Sequence, residues 1–199
     1  MQLLKENKYL PFIILTLAVF TVFGNAVFNE FVYDDHYLIV ENPFIKDFAH
    51  TKYILLSDVT VTSPLAKASG YYRPVSMFFL MLAYKLFGLN SYLWHINSIL
   101  IHLANTILVF VLIRKISNHS NTAFLSSMVF AVHPVHTEAV TPVYNFMGIL
   151  ATFFSLSSFL FFIRSEGLKK TKYVIWSLFL LMLGLFSKEE VIILPAVLI

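Results

Sequence analysis

Long apolar runs, separated by short polar segments, make up most of this sequence. Several of them approach the roughly 20 apolar residues that a helix needs to cross a bilayer. A shorter run begins at Pro74 and is interrupted at Tyr84 and Lys85, so we expect it to form a helix that lies on the membrane. The predicted segments are a first span at about 9–28, an outer loop at 29–73, an interfacial helix at 74–89, spans at 91–113, 121–140, 145–163 and 173–187, and the start of a sixth span at 191–199. We therefore predict an all-α, polytopic transmembrane protein.

A cleaved signal peptide is the alternative interpretation of the first run. Gly24-Asn25-Ala26 has the small-x-small pattern of a cleavage site. The apolar run continues to Phe28 and further spans follow it, which favours a retained helix.

The composition also indicates an integral membrane protein. Hydrophobic residues make up 58% of the sequence and charged residues 13%, and the mean hydropathy is +0.77. A soluble domain usually has about 25% charged residues. The sequence contains no cysteine, which excludes disulfides and thiolate metal sites within it. No basic patch is interleaved with aromatic residues, so we expect no nucleic-acid partner.

The basic residues predict how the chain is oriented in the membrane. If the spans alternate, one side receives Lys5, Lys8, Arg114, Lys115, Arg164, Lys169, Lys170 and Lys172. The positive-inside rule makes that side, and the N-terminus with it, cytoplasmic. The polar segments that follow the first, third and fifth spans then share the opposite face, in the periplasm or in the lumen of the secretory pathway.

Two adjacent carboxylates, Asp34 and Asp35, follow the first span and precede His36. A carboxylate pair at the membrane surface is suited to deprotonating a hydroxyl acceptor. It is equally suited to holding a divalent metal that bridges a phosphate. A solvated turn without chemistry is the third interpretation, and these residues alone leave all three open.

Two cationic positions are candidates for binding a phosphate. Arg73 directly precedes Pro74 at the start of the predicted interfacial helix, where an anion is favoured. Lys188 lies beside Glu189 and Glu190, so it either neutralises a phosphate or pairs with one of these acids. The alternatives are a headgroup anchor for Arg73 and an ordinary solvated loop for Lys188.

The segment His133-Pro134-Val135-His136-Thr137-Glu138 contains two histidines and a glutamate, which are metal-ligand types. The spacing differs from His-Glu-x-x-His, and Pro134 breaks the helix that would place both imidazoles on one face. A zinc protease is therefore not supported. Lining of a polar cavity and a polar kink at the end of the third span are the two interpretations left.

Four polar residues of the second span, His95, Ser98, His102 and Asn105, recur at helical spacing and share one face. Polar groups at this depth usually face protein or a cavity. We expect His102 and Asn105 to make hydrogen bonds between helices. His95 lies nearer the outer end of the span and is expected to reach the site.

These motifs stand in a characteristic order: Phe31-Val32-Tyr33-Asp34-Asp35, Tyr72-Arg73-Pro74, His95 with Asn97, His102 and Asn105, His133-Pro134-Val135-His136-Thr137-Glu138-Ala139-Val140, and Ser187-Lys188-Glu189. Together they resemble the N-terminal region of the transmembrane and tetratricopeptide repeat O-mannosyltransferases and their bacterial relatives. The resemblance implies a GT-C glycosyltransferase fold with its active site on the outer or lumenal face. It also implies a polyprenyl-phosphate sugar donor, mannose on dolichyl phosphate in the eukaryotic enzymes, and protein Ser or Thr as the acceptor.

The resemblance implies roles for individual residues as well. The first outer loop supplies the catalytic carboxylate in this fold, which by match is Asp34 or Asp35. We expect Arg73 and Lys188 to stabilise the departing phosphate. Residues around Tyr84 are expected to meet the lipid tail. The predicted site-lining residues are His36, His95, His133, His136, Glu138 and Glu189. The resemblance does not imply a specific cofactor. If the enzyme uses a divalent metal, we expect the metal at the Asp34-Asp35 pair.

The sequence departs from the family pattern in two respects. Tyr144-Asn145-Phe146-Met147-Gly148 stands where the family usually has a Gly- or Asn-Arg-acidic run, so one charged contact is expected to be missing, which affects the identity of the donor or the acceptor. The tetratricopeptide repeats and the later spans are not within these 199 residues. We therefore expect the N-terminal part of a larger enzyme.

The predicted function is transfer of mannose or another hexose from a polyprenyl phosphate to a hydroxyl acceptor, at a lipid bilayer. The rival is a non-enzymatic membrane protein, a transporter or an assembly factor, whose outer acids bind cations. Transporters tend to place charged groups at mid-membrane, in broken helices. Here the carboxylates are expected at one edge of the bilayer, which favours the transferase.

Overall fold

The structure is a computed structural model that describes residues 8–59, 70–166 and 171–197. Within these ranges the chain forms helices, turns and loops, without a β-strand. The α-helices are α1 (Leu10–Phe23), α2 (Thr51–Leu56), α3 (Pro74–Phe87), α4 (Ser91–Ser117), α5 (Ser120–Val132), α6 (His136–Val140), α7 (Phe146–Glu166), α8 (Thr171–Leu185) and α9 (Leu194–Val197). Shorter helical turns cover Gly24–Phe28, His36–Val40, Phe44–Lys46, Phe48–His50, Val143–Asn145 and Glu189–Ile193. The prediction of an all-α, polytopic membrane protein is confirmed.

Among the described residues, three helical segments are long and apolar enough to cross a membrane: Leu10–Phe28, Ser91–Ser117 and Val143–Ser165. The helices Pro74–Phe87, Ser120–Val132 and Thr171–Leu185 are apolar but shorter. At 1.5 Å per residue, α5 is about 20 Å long, less than the roughly 30 Å of a hydrocarbon core. The chain therefore combines long and short apolar helices.

The sequence around Pro134 divides the predicted third span into two helices. His133 adopts an extended conformation with φ −64° and ψ 129°, as a residue that precedes proline is biased to do. Pro134 has no N–H with which to continue the helical hydrogen-bonding pattern. The chain thus leaves α5 at Val132 and begins α6 at His136.

Helix α3, predicted to lie on the membrane, is packed inside the protein along one face. Its buried residues Met77, Leu80 and Met81 belong to the same apolar cluster as Ile45 and Ile54 of the outer loop. The helix ends at Gly88, whose φ of 56° is readily adopted only by glycine. The described part of the outer loop is therefore folded onto α3 and has apolar side chains of its own in the core.

Five helix ends meet at one end of the bundle. Asp35, which follows α1, accepts a hydrogen bond from the backbone N–H of Tyr144, just before α7. The His102 ring of α4 contacts the backbone oxygen of Ala131 near the end of α5. The N–H of Val75 at the start of α3 donates to the oxygen of Phe186 after α8, at 3.1 Å. The polar segments between these helices are thereby brought together.

Helices α7 and α8 are joined by two reciprocal serine hydrogen bonds. Ser158 Oγ donates to the backbone oxygen of Ser177 at 2.8 Å, and Ser177 Oγ donates to that of Ser158 at 2.9 Å. Further along α8, a Cβ added to Gly184 would lie 3.2 Å from Val191 Cγ1 and 3.5 Å from Phe154 Cβ. Small residues thus allow the two helices to approach closely.

We expect Ser158→Ala and Ser177→Ala each to destabilise the protein by about 0.5–1.5 kcal/mol. The double variant should lose less than the sum of the two, because each hydroxyl also contacts the other at 3.2 Å. Unfolding in detergent, followed by circular dichroism, measures both effects. Ser155→Ala is the matched control, since its hydroxyl bonds only within α7, to Ala151. Strictly additive losses would contradict the predicted coupling.

Candidate functional site

A cavity of about 420 Å³ opens at the end of the bundle where these helix ends meet. Its charged lining residues are Asp34, Arg73, Lys188, Glu189 and Glu190. Its aromatic lining residues are Tyr37, Tyr71 and Tyr144. Four segments therefore contribute to one polar cavity: the outer loop, the start of α3, the start of α7 and the turn after α8.

The two adjacent aspartates differ in their surroundings. Asp34 is exposed and lines the cavity, whereas Asp35 is fully buried. Asp35 Oδ1 accepts from the N–H of Tyr144 at 2.5 Å, and its Oδ2 accepts from the N–H of Val32 at 3.0 Å. Tyr33, which lies between Val32 and Asp35 in the sequence, has a φ of 47°, which non-glycine residues rarely adopt. Asp35 thus holds a strained turn and joins it to the start of α7, while Asp34 is presented to the cavity.

Burial is the main influence on Asp35 and raises the pKa of its carboxyl above the ordinary value. The two backbone N–H donors and the nearby His95 act in the opposite direction, because they favour the ionised form. His95 is itself buried in the first turns of α4, near the backbone of Thr141 and Glu30. His95 thus lies near Asp35 and is not among the described residues that line the cavity.

Arg73 is bound by Glu189, a residue 116 positions away in the sequence. Its Nε donates to Glu189 Oε2 at 2.9 Å, and its Nη2 donates to Oε1 at 2.6 Å. Arg73 Nη1 lies 3.7 Å from the sulfur of Met147, and the guanidinium lies over the Tyr71 ring at 4.7 Å. Carboxylates and phosphates can both accept such a pair of parallel hydrogen bonds from one edge of a guanidinium.

The Arg73 guanidinium lowers the pKa of Glu189 below its ordinary value of 4.5. A depressed acid pKa contributes stability above pH 4.5, and this contribution is lost as the pH falls through the folded-state pKa. We expect Arg73→Gln to remove this dependence, so that its unfolding midpoint falls less steeply on acidification than that of the wild type. Because Glu189 is half exposed, the difference should be about 0.5 kcal/mol or less.

Thermal unfolding in detergent, at neutral pH and below pH 4.5, measures this difference. Glu41→Gln serves as the control, since Glu41 is an exposed acid of the outer loop that does not line the cavity. Its curve should run parallel to that of the wild type. If the Arg73→Gln curve did so too, the ion pair would contribute nothing to stability.

Lys188 forms a second ion pair, in which its Nζ lies 2.9 Å from Glu190 Oε1. Glu190 is 72% exposed, so solvent weakens this pair more than that of Arg73. The Lys188 side chain runs past Gly148 in the first turn of α7, where a Cβ would lie 3.6 Å from Nζ. The turn that carries Lys188, Glu189 and Glu190 is fixed to α3, because Ser76 Oγ donates to the backbone oxygen of Ser187 at 2.9 Å.

The predicted histidines occupy positions outside the cavity wall. Among the described residues that line the cavity, none is a histidine. His136 packs against His102 and Phe130, with ring centroids 5.0 and 4.5 Å apart, and the His133 ring lies 6.3 Å from it. His36 Nε2 contacts the backbone oxygen of Phe31 at 3.1 Å and closes the loop on itself. These histidines stabilise the surroundings of the site through packing and local contacts.

Glu138 is close to the cavity but is not part of its described lining. Its backbone oxygen accepts from Asn145 Nδ2 at 2.6 Å, and Asn145 lines the cavity. The charges of Asp34 and Glu138 both act on the Tyr144 side chain. The first outer loop and the segment after Pro134 therefore approach each other at Tyr144.

The described residues were compared with the clusters of ligand side chains that hold a metal ion. No group of three or more His, Cys, Asp or Glu side chains converges within the described part of the chain. At the aspartate pair, both oxygens of Asp35 already accept backbone N–H groups. Among the described lining residues of the cavity, Glu189 and Glu190 are paired with the cations Arg73 and Lys188, and Asp34 is the remaining carboxylate.

Sequence reasoning missed part of the cavity. The N–H of Tyr144, which holds Asp35, belongs to the segment that departs from the family pattern. Tyr37 and Tyr71 were also left out of the predicted site, because tyrosines near a membrane surface are common and carry no spacing signal. The departure at 144–148 was the one available signal, and it pointed to a lost charge rather than to a backbone donor.

Comparison with known proteins relates the chain to mannosyltransferases. The family model described as dolichyl-phosphate-mannose-protein mannosyltransferase matches residues 68–199. Protein O-mannosyl-transferase TMTC3 of Homo sapiens is 29% identical over 192 residues, 92% of this chain and 20% of the relative. Protein O-mannosyl-transferase F38B6.6 of Caenorhabditis elegans is 32% identical over 168 residues, 81% of this chain and 23% of the relative.

A third relative, protein O-mannosyl-transferase TMTC1 of Mus musculus, is 30% identical over 146 residues, 72% of this chain and 16% of the relative. The chain thus spans about a fifth of the length of the curated relatives it matches. No solved structure matches it.

Proposed function

We propose that this chain, which belongs to the dolichyl-phosphate-mannose-protein mannosyltransferase family, contributes the active-site cavity of a membrane glycosyltransferase. The reaction is the transfer of mannose or another hexose from a polyprenyl phosphate to a Ser or Thr hydroxyl of a protein. The observation that carries this proposal is a single cavity lined by an exposed carboxylate, Asp34, and two cations, Arg73 and Lys188. An acceptor hydroxyl needs a base, and a departing phosphate needs positive charge.

Asp34 acts as the general base in this proposal. Its carboxylate accepts the proton of the acceptor hydroxyl as the hydroxyl oxygen bonds to the anomeric carbon. The bond between that carbon and the phosphate oxygen breaks, and its electron pair remains with the phosphate. A single displacement of this kind inverts the anomeric centre. Asp34 suits the role because it is exposed to the cavity, in contrast to Asp35.

Arg73 and Lys188 stabilise the charge that develops on the departing phosphate. Both line the same cavity as Asp34, and both carry N–H donors that suit phosphate oxygens. Asp35 acts as a positioning residue. By accepting the N–H groups of Val32 and Tyr144, it fixes the turn from which Asp34 projects.

The proposal is tested with membranes containing the full-length protein and radiolabelled mannose on two carriers, a polyprenyl phosphate and a nucleoside diphosphate. We expect label to pass from the polyprenyl phosphate to protein and to be released by alkaline β-elimination, as O-linked sugar on Ser or Thr is. Transfer from the nucleoside diphosphate alone would refute the donor class. Absence of labelled protein with either donor would leave the non-enzymatic rival.

The proposed face of the membrane is tested by cysteine labelling, because these 199 residues contain no cysteine. Glu41→Cys in the outer loop should react with a membrane-impermeant maleimide added from the periplasmic or lumenal side. His119→Cys, exposed at the other end of α4, should react only after permeabilisation. The reverse pattern would place the cavity on the cytoplasmic side.

A further inference from the structure

Glu189 occupies the edge of Arg73 that a phosphate would use. From this contact we propose that Glu189 is a donor-exchange residue: it holds Arg73 in the free protein, gives way to the donor phosphate, and returns when the lipid phosphate leaves. The inference rests on the function proposed above. It assigns Glu189 a role in setting donor affinity, in addition to its lining of the cavity.

The first step of the argument is the geometry around Arg73. One edge of the guanidinium, Nε with Nη2, is bound to both oxygens of Glu189. The Nη1 corner faces the sulfur of Met147, and one face of the group covers the Tyr71 ring. An incoming phosphate can make paired hydrogen bonds to the Nε–Nη2 edge only if the carboxylate leaves it.

The second step is that Glu189 is free to move away, while Arg73 is not. The Arg73 side chain is 16% exposed and that of Glu189 is 53% exposed. Glu189 begins the helical turn Glu189–Ile193, so its side chain can rotate into solvent without a change in any longer helix. Arg73 stays oriented by Tyr71 and Met147 throughout the exchange.

The third step is the charge of the cavity. Arg73 and Lys188 face three acids among the described lining residues: Asp34, Glu189 and Glu190. A phosphodiester that entered beside all three acids would add to an excess of negative charge. Exchange of Glu189 for the phosphate at Arg73 avoids this, because one anion takes the place of another.

Exchange also has a consequence for product release. Transfer of the sugar leaves a lipid phosphate monoester, which can carry one more negative charge than the donor and binds Arg73 more strongly. Glu189 competes for Arg73 at this stage, which speeds departure of the lipid phosphate. The same residue therefore weakens donor binding and limits product inhibition.

The test compares Glu189→Gln with the wild type in the full-length protein. We expect the donor KM to fall on the order of three- to tenfold, because a neutral amide competes less well for Arg73. Inhibition by added polyprenyl phosphate should become stronger by a similar factor. Glu41→Gln removes an acid away from the cavity and should leave both values unchanged.

A second measurement does not depend on transfer. Purified protein in detergent is assayed for retention of radiolabelled polyprenyl phosphate, with neutral polyprenol as the comparison. Glu189→Gln should retain more of the phosphate and the same amount of the alcohol. If the wild type transferred no sugar, yet Glu189→Gln retained more polyprenyl phosphate than the wild type did, the proposed function would fail and the exchange role would stand.

Two results would overturn the exchange role. One is a donor KM that rises in Glu189→Gln, since Glu189 would then serve only to orient Arg73. The other is an equal gain from Glu190→Gln, because a general loss of negative charge would explain both. Should Glu189→Gln fail to accumulate, Glu189→Asp keeps the charge with a shorter reach, and the same shift in smaller measure is expected from it.

Discussion

Asn in place of Asp34 is expected to reduce sugar transfer by a factor of about 10²–10⁴, the range for loss of a general base. Asparagine has nearly the same shape as aspartate but cannot accept the proton of the acceptor hydroxyl. The loss should appear in kcat, with the donor KM little changed, since Asp34 is not placed at the phosphate. The measurement is the initial rate of label transfer from polyprenyl-phosphate mannose in membranes containing the full-length protein.

Asp47→Asn is the matched control for this prediction. It makes the same chemical change in the same loop, and Asp47 Oδ1 accepts from the N–H of Ala49, a bond that an amide oxygen can also accept. Its activity should equal that of the wild type. Retention of full activity by Asp34→Asn would remove Asp34 from the mechanism.

Asp35→Asn separates the positioning role from the catalytic one. An asparagine would place an NH₂ group against the N–H of Val32 or of Tyr144, both of which now donate to a carboxylate oxygen. We expect this variant to lose thermal stability together with activity, whereas Asp34→Asn should lose activity alone. If Asp35→Asn were inactive at normal stability while Asp34→Asn remained active, Asp35 would be the catalytic residue and Asp34 would not.

Arg73→Gln is expected to lower kcat/KM by about 10²–10³, as the loss of a donor to a developing oxyanion does. Both constants should change, because Arg73 is proposed to bind the donor phosphate and to stabilise the charge on the departing one. Lys188→Gln should have a smaller effect, since its partner Glu190 is largely exposed and the pair is solvated. Steady-state kinetics with polyprenyl-phosphate mannose measures each constant.

Arg73→Lys provides the control for charge without geometry. A lysine restores the positive charge but not the paired N–H donors along one edge. Partial recovery relative to Arg73→Gln is therefore expected. Wild-type kinetics in Arg73→Gln would show that the phosphate binds elsewhere in the cavity.

Several predictions from the sequence are confirmed. The all-α, polytopic architecture follows from the lengths of the apolar runs and the scarcity of charge. The family follows from the order of short motifs, and the family model matches over residues 68–199. Both are local or sequential properties, so they can be recognised without knowing which residues come into contact.

Other features depended on packing. Helix α3 is predicted to lie on the membrane, and the structure adds that its apolar side chains Met77, Leu80 and Met81 are buried against the outer loop and α7. An apolar stripe reports that a face avoids water, and it does not say whether lipid or protein covers that face. The division between α5 and α6, in contrast, follows from Pro134 and was visible in the sequence.

The sequence by itself determined that this is a helical membrane protein of the mannosyltransferase family, and it picked out Asp34, Asp35, Arg73 and Lys188 as residues of interest. These features can be recognised from the sequence because the length of apolar runs, the charge and the order of motifs do not depend on tertiary contacts. Only the tertiary structure decided that Asp35 is buried, that Asp34 faces the cavity, and that Arg73 is bound by Glu189. The Asp35–Tyr144 and Arg73–Glu189 contacts join residues 109 and 116 positions apart, and such contacts arise from the packing of helix ends.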